Sequence, residues 1–235
     1  MRKRAWLFPL LALGVIGLLA CGQSAEPLPL QGTPQSSIPP APAVAAPAGE
    51  ILVQDAFSGP LSEVWAVLDT VERPGERAEW HTQDDMLVQG GTTLGHTSPD
   101  AAYLVVQSGG EWSDYILRVA VYVESNDEVG VVFRVNDDGF YRFRMRSADF
   151  DGPYHVGLDR FQDGRYTVLW HEAGNGFPIR QWFTLEVEAR GDRFRISVDG
   201  RLLTEVQDSA FVRGSIGLYA WAEGGAYFDN LVVTR

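Results

Sequence analysis

The stretch Glu128–Ala148, EVGVVFRVNDDGFYRFRMRSA, is two runs of alternating residues around Asn136-Asp137-Asp138-Gly139. Asp and Gly tolerate the positive φ that tight turns need, so the tetrapeptide predicts a β-hairpin. In the first run Val131, Phe133 and Val135 share one face, with Val132 and Arg134 on the other. In the second, Tyr141, Phe143 and Met145 alternate with Arg142, Arg144 and Arg146. A side-chain period of two sends one set into a core and the other out of it. The hairpin therefore predicts an apolar face backed by a ladder of arginines. Like charges so close repel. Acids on neighbouring strands, such as Asp159 or Glu124, or a bound ligand must offset them.

The same alternation continues on both sides of this hairpin. Strand-like runs are 51–57, 64–71, 78–81, 86–89, 102–107, 115–124, 129–135, 140–146, 154–161, 166–171, 182–189, 193–198, 202–206, 215–222 and 227–233, with no convincing amphipathic helix. Asp138-Gly139, Asp163-Gly164 and Asp199-Gly200 each lie between two runs and read as hairpins. Over 115–124 the core set is Tyr115, Leu117, Val119, Val121 and Val123; Ile116, Arg118, Ala120, Tyr122 and Glu124 face outward. Apolar faces of two sheets must bury each other, so the fold class is all-β, a two-sheet antiparallel sandwich. At 235 residues and 45% hydrophobic, the chain has enough apolar surface for one sizeable core.

The formal charge is -12, and Arg2, Lys3 and Arg4 carry the only charges before Cys21. Without them, 16 arginines face 31 acids. That excess argues against binding nucleic acid or an anionic membrane surface through net charge. The basic start and the apolar run Ala5–Ala20 predict a signal peptide over 1–20, too short to span a bilayer. Its end, Leu18-Leu19-Ala20-Cys21, resembles the lipobox of bacterial lipoproteins, in which the Cys is lipidated and becomes the mature N-terminus. Cys21 is the single cysteine, so no intramolecular disulfide forms. Residues 21–49, rich in Pro, Ala, Ser and Gln, predict a disordered tether. The folded domain is expected over 50–235.

Several motifs carry a more specific resemblance. They are Trp112-Ser113-Asp114-Tyr115, Gly130-Val131-Val132-Phe133-Arg134, Tyr141-Arg142-Phe143, Gln181-Trp182-Phe183-Thr184-Leu185, Val198-Asp199-Gly200, Gly214-Ser215-Ile216-Gly217-Leu218 and Phe228-Asp229-Asn230-Leu231. Together they resemble the strands of concanavalin A-like jelly-roll domains, including laminin G-like modules and the 3-keto-disaccharide hydrolase domain family. The motifs are packing and turn residues, which speak for fold more than for activity. The resemblance implies a jelly roll with a glycan face.

Sugars are held by aromatic rings and by Arg, Asp and Asn hydrogen bonds. The ligand-binding set expected from the outward faces is Arg118, Tyr122, Arg134, Arg142, Arg144, Asp159 and Trp221. His155 lies further along, and Tyr219 joins Trp221 on the face opposite Ile216, Leu218 and Ala220. No E-x-D-x-E triplet of the kind that sets two carboxyl groups about 5 Å apart occurs. Glu186-Val187-Glu188 reads as a solvated strand face, and the histidines lack zincin spacing. Asp149, Asp151 and Asp159 form the best alternative acid cluster. Asp55 and Asp229, at opposite ends of the domain, are the expected ligands of a structural Ca²⁺, which wants about six to eight oxygens.

The leading expectation is a lipid-anchored, extracytoplasmic module that binds glycan without catalysis and touches the membrane only through its lipid. The alternatives are a glycoside hydrolase of the 3-keto-disaccharide type and a structural or protein-interaction domain of a surface assembly. The anchor has a direct test. Cys21→Ser should release the protein from membranes or leave it unprocessed, and mass spectrometry of the wild type should find the mature N-terminus at a lipidated Cys21.

Overall fold

The structure, a computed structural model, describes residues 38–69, 79–90, 102–174, 176–221 and 225–235. The expected signal peptide, Cys21 and the first part of the tether lie outside the described residues, as do parts of the runs at 64–71, 78–81 and 215–222. Among the described residues the strands are β1 Ile51–Asp55, β2 Trp65–Asp69, β3 Trp80–Gln83, β4 Met86–Gln89, β5 Ala102–Val106, β6 Tyr115–Val123, β7 Glu128–Asn136 and β8 Gly139–Arg146. They continue as β9 Val156–Gln162, β10 Arg165–Glu172, β11 Phe183–Arg190, β12 Arg193–Val198, β13 Arg201–Gln207, β14 Ser215–Trp221 and β15 Ala226–Thr234. Each corresponds to one of the runs of alternating residues.

The strands form two antiparallel sheets. Sheet A has the order β13-β12-β11-β6-β15-β4-β3, with β1 also paired to β15; sheet B has the order β10-β9-β8-β7-β14-β5-β2. This is an all-β jelly-roll sandwich. All three Asp-Gly signals mark hairpins; at two of them both residues sit at positive φ, 53° and 72° at Asp163-Gly164 and 50° and 75° at Asp199-Gly200, whereas at Asp138-Gly139 only the glycine does. Between the sheets, Tyr115, Leu117, Val119, Val121 and Val123 of β6 pack against Val131, Phe133, Tyr141, Phe143 and Met145 of the β7–β8 hairpin. Each such side chain stabilises the fold by about 1.5–3 kcal/mol. A second apolar cluster, Tyr103, Val132, Phe140 and Tyr219, lies on the other face of sheet B.

One outward position is corrected. Arg134, expected to face outward beside Val132, is completely buried. A β-bulge interrupts the register of β7 with both β8 and β14, and Arg134 takes φ 54° within it. The bulge reverses the alternation, so Val135 joins the outer cluster and Arg134 turns inward. Its Nη1 donates to Trp112 O (3.1 Å) and its Nη2 to Gly191 O (3.0 Å), while its backbone N–H donates to Tyr115 Oη (3.0 Å). A residue of sheet B thereby ties down the β5–β6 connection and the β11–β12 turn. Tyr115, whose phenol burial pushes up to about 12, packs its ring under the guanidinium.

Asp208 makes a second tie, from the segment after β13 to sheet B. It accepts from Tyr141 Oη (2.5 Å), Arg160 Nη1 (2.7 Å) and the Ala210 N–H (3.0 Å). Burial pushes its carboxyl up, but these hydrogen bonds more than offset it, and the pKa lies below the ordinary value of 3.8.

Arg134→Met, which removes both guanidinium hydrogen bonds between the sheets, should cost about 2–4 kcal/mol in denaturant melts. Arg195→Met, at an exposed ion pair with Glu188 and Glu205, should cost at most about 1 kcal/mol. Because the carboxyl of Asp208 is depressed, its contribution is present above about pH 4 and lost as pH falls through the folded value. Asp208→Asn should flatten that part of the acid limb in pH-dependent melts.

A candidate ligand-binding face

The register of sheet B arranges its outer face in rows. One row runs Trp221–Glu128–Arg146 across β14, β7 and β8. The next runs Tyr103–Tyr219–Gly130–Arg144–Gly157–His171. The third contains Val132, Arg142, Asp159 and Val168. The three arginines project on one side because they alternate along β8, and the acids that offset them come from β7 and β9.

Asp159 Oδ2 accepts from both Arg142 Nη2 and Arg144 Nε at 2.8 Å. Glu128 Oε2 accepts from Arg146 Nε and, at 3.4 Å, from Arg144 Nη1. Tyr219 Oη donates to Glu128 Oε1, and the hydroxyls of Tyr103 and Tyr166 share a hydrogen bond of 2.6 Å. The Arg142 guanidinium lies 4.0 Å from the Tyr166 ring centre and 4.9 Å from that of Tyr219. Gly157 permits the packing beside it: a Cβ there would sit 3.0 Å from Arg144 Nη2. Burial pushes the Tyr219 phenol well above its ordinary pKa and the neighbouring Glu128 adds to this, while Arg142 opposes it.

This layer is interior in character. Arg142 is 8% exposed, Glu128 4% and Asp159 2%. Its ion pairs are thus unlike weak surface pairs, because removing one partner leaves an uncompensated charge in a low dielectric. Exposure rises along β8, from 9% for the Arg142 side chain to 28% for Arg146. The open end has aromatic neighbours. Trp221 is half-buried, the Arg146 guanidinium lies 4.2 Å from the Phe150 ring centre, and exposed Tyr154 packs on His171 with ring centres 3.8 Å apart. His155 Nε2 bonds to Phe150 O at 3.1 Å. Beneath these strand ends a cavity of about 460 Å³ opens, lined by Met145, Val156, Phe177 and Phe183, with Glu172, Asp199 and Arg201 also in its wall.

The structure divides the expected ligand set. Arg142, Arg144, Asp159 and Trp221 share the outer face of sheet B. Arg118 and Tyr122 lie on β6, on the outer face of sheet A, where Arg118 pairs with Glu186. Tyr122 packs between Trp182 and Tyr227, with ring centres at 5.4 and 5.9 Å. Arg134 is inside. Glu128, Tyr103 and Tyr166 were missed. Glu128 ends the first run of the hairpin, but its place opposite Arg146 depends on the bulge.

The two carboxylates expected to hold a metal, Asp55 and Asp229, both accept hydrogen bonds from the protein. Asp55 Oδ1 accepts from the Phe57 N–H (2.7 Å) and its Oδ2 from Trp65 Nε1 (2.9 Å), so both oxygens are already engaged. Burial raises the Asp229 carboxyl, against the Asn230 N–H and with Asp85 and Asp55 adding to the rise. Among the described residues no group of three or more His, Cys, Asp or Glu side chains is placed to hold a metal ion.

Comparison with known proteins follows the same outline. Levanase of Bacillus subtilis (strain 168) is 26% identical over 190 residues, which are 78% of this chain and 26% of levanase. The chain thus spans about a quarter of that relative's length. The carbohydrate-binding module CBM66 from Bacillus subtilis superposes with a TM-score of 0.57 at 19% identity, covering 73% of this chain and 96% of the module. A Bacillus subtilis protein of unknown function with a galectin-like fold gives 0.59 at 10% identity, covering 80% of this chain and 96% of its own. At these identities the likenesses establish the jelly-roll fold. The family profile described as "3-keto-alpha-glucoside-1,2-lyase-like domain" matches residues 57–234, and the chain belongs to that family.

Proposed function

We propose that this chain is a lipid-anchored, extracytoplasmic module that binds glycan without transforming it, and that the sugar lies at the open end of the arginine ladder on sheet B. The observation that carries this reading is the buried layer itself. Arg142, Arg144, Arg146, Glu128, Asp159 and Tyr219 hold one another in place, so polar groups face a sugar with little side-chain entropy left to lose. Arg144 and Arg146 supply donors for hydroxyl oxygens, and Trp221 and Tyr154 offer rings for C–H faces. Similarity to the carbohydrate-binding module CBM66, and to part of a levanase, supports a glycan as ligand.

A non-catalytic role fits the way the carboxylates are used. A general acid or base needs a carboxyl oxygen within reach of the proton it moves. Asp159 Oδ2 receives two guanidinium donors, and both oxygens of Glu128 receive donors from the protein. The family match favours a second reading, cleavage of a 3-keto-glucoside by acids gathered on the same face.

Mutants separate these readings. Trp221→Ala should keep the melting temperature, and Arg146→Ala should lower it less than Arg142→Ala does because Arg144 and Tyr219 still reach Glu128. Each should lower affinity at least about tenfold, a difference of about 1.4 kcal/mol, for the sugar that a glycan array identifies. Full affinity in the double mutant would move the site elsewhere. Arg142→Ala should instead lose about 3–5 kcal/mol of stability, because it removes a partner from the buried Asp159. Turnover of a 3-keto-glucoside by the wild type, lost in Glu128→Gln with binding retained, would establish the catalytic reading in its place.

A further inference from the structure

The segment Ile38–Gly49, which composition reads as part of a disordered tether, lies against sheet A with a regular pattern. Ile38, Ala41, Val44 and Pro47 are half-buried, and every other residue from Pro39 to Gly49 is exposed. The carbonyls that accept hydrogen bonds from the domain repeat at the same interval. Trp182 Nε1 donates to Pro39 O (2.7 Å), Asn230 Nδ2 to Pro42 O (3.1 Å) and Arg118 Nη1 to Ala45 O (2.9 Å). A strand repeats every two residues and an α-helix every 3.6, whereas a polyproline-II helix repeats every three, with its backbone carbonyls free for outside donors. The segment contains neither strand nor helix, and its bulkiest aliphatic residues, Ile38 and Val44, both fall at inward positions. The donor Trp182 belongs to an aromatic patch with Tyr122 and Tyr227. An aromatic surface with an indole N–H donor is the chemistry that reads polyproline-II ligands.

We propose that the outer face of sheet A is a docking groove for a polyproline-II helix, and that its occupant is the chain's own segment Ile38–Pro47. The segment is then a fixed strap, and only Gly22–Ser37 separates Cys21 from it. Docking is favourable because the helix is preformed and attachment to the same chain gives a high effective concentration. The strap takes up Arg118 and Trp182, which leaves the outer face of sheet B as the open one.

A nitroxide on Ala43→Cys, an exposed position, tests this in the otherwise full-length Cys21→Ser chain. The spectrum should show an immobilised label. Trp182→Ala, Ile38→Asp and Val44→Asp should each narrow it to fast nanosecond motion, while Ala46→Asp, at an outward position, should leave it immobilised. An unchanged melting temperature in each variant distinguishes release of the strap from unfolding of the domain. A mobile label in the unsubstituted strap, or equal responses to inward and outward substitutions, would overturn the proposal.

Discussion

Arg134 sits in a left-handed backbone conformation inside the longest hairpin of the domain, with its guanidinium driven between the sheets. Two carbonyls, from the β5–β6 connection and the β11–β12 turn, accept its protons, and the Tyr115 ring lies beneath it. An isolated charge could not occupy this place, because desolvation would be too costly. The bulge that turns the side chain inward also shifts the pairing of β7 and β8 by one residue between Asn136↔Gly139 and Phe133↔Tyr141. That shift brings Glu128 opposite Arg146; an unbroken count from the turn would have brought Val129 there. One backbone irregularity therefore both fastens the sheets together and supplies the acid that offsets the outer arginines.

The two outer faces are then covered in different ways. On sheet B the covering is made by the strands themselves: three arginines, two acids and the rings of Tyr103, Tyr166 and Tyr219 form a layer with an open, aromatic-rimmed end. On sheet A it is the Pro-rich segment before β1, held by Trp182, Asn230 and Arg118. The difference follows from the residues available. The ladder on β8 is charged and needs counter-charges from adjacent strands. The aromatic patch is apolar with a few donors, which suits a backbone whose carbonyls are free for outside donors.

Arginine is well suited to the buried layer. Its planar group can donate in two directions and stack on a ring at once, as Arg142 does with Asp159 and Tyr166. The layer carries more positive than negative charge inside a chain whose formal charge is -12. A net charge of that sign disfavours polyanionic partners.

How much of this was legible depended on the range of the interaction involved. Alternation of apolar and polar residues is local, and together with the Asp-Gly turns it determined the strands, the hairpins, the sandwich class and the inward faces of β6, β8 and β14. It also put Arg142, Arg144 and Arg146 on one side. Which strands adjoin that side is not local. Asp159 could be paired with the ladder from sequence only as a candidate, and Tyr103 and Tyr166 are separated from Arg142 by stretches of chain that no periodicity spans. Arg118 and Tyr122 share the outward alternation of Arg142, but alternation does not say to which of two sheets a strand belongs. The inward turn of Arg134 and the threefold contact of the Pro-rich segment exist only against the folded domain. Sequence determined which way each regular strand faces, because that is a property of consecutive residues. The tertiary structure decided which faces meet and where one bulge reverses them, because those depend on pairings between residues far apart in the chain.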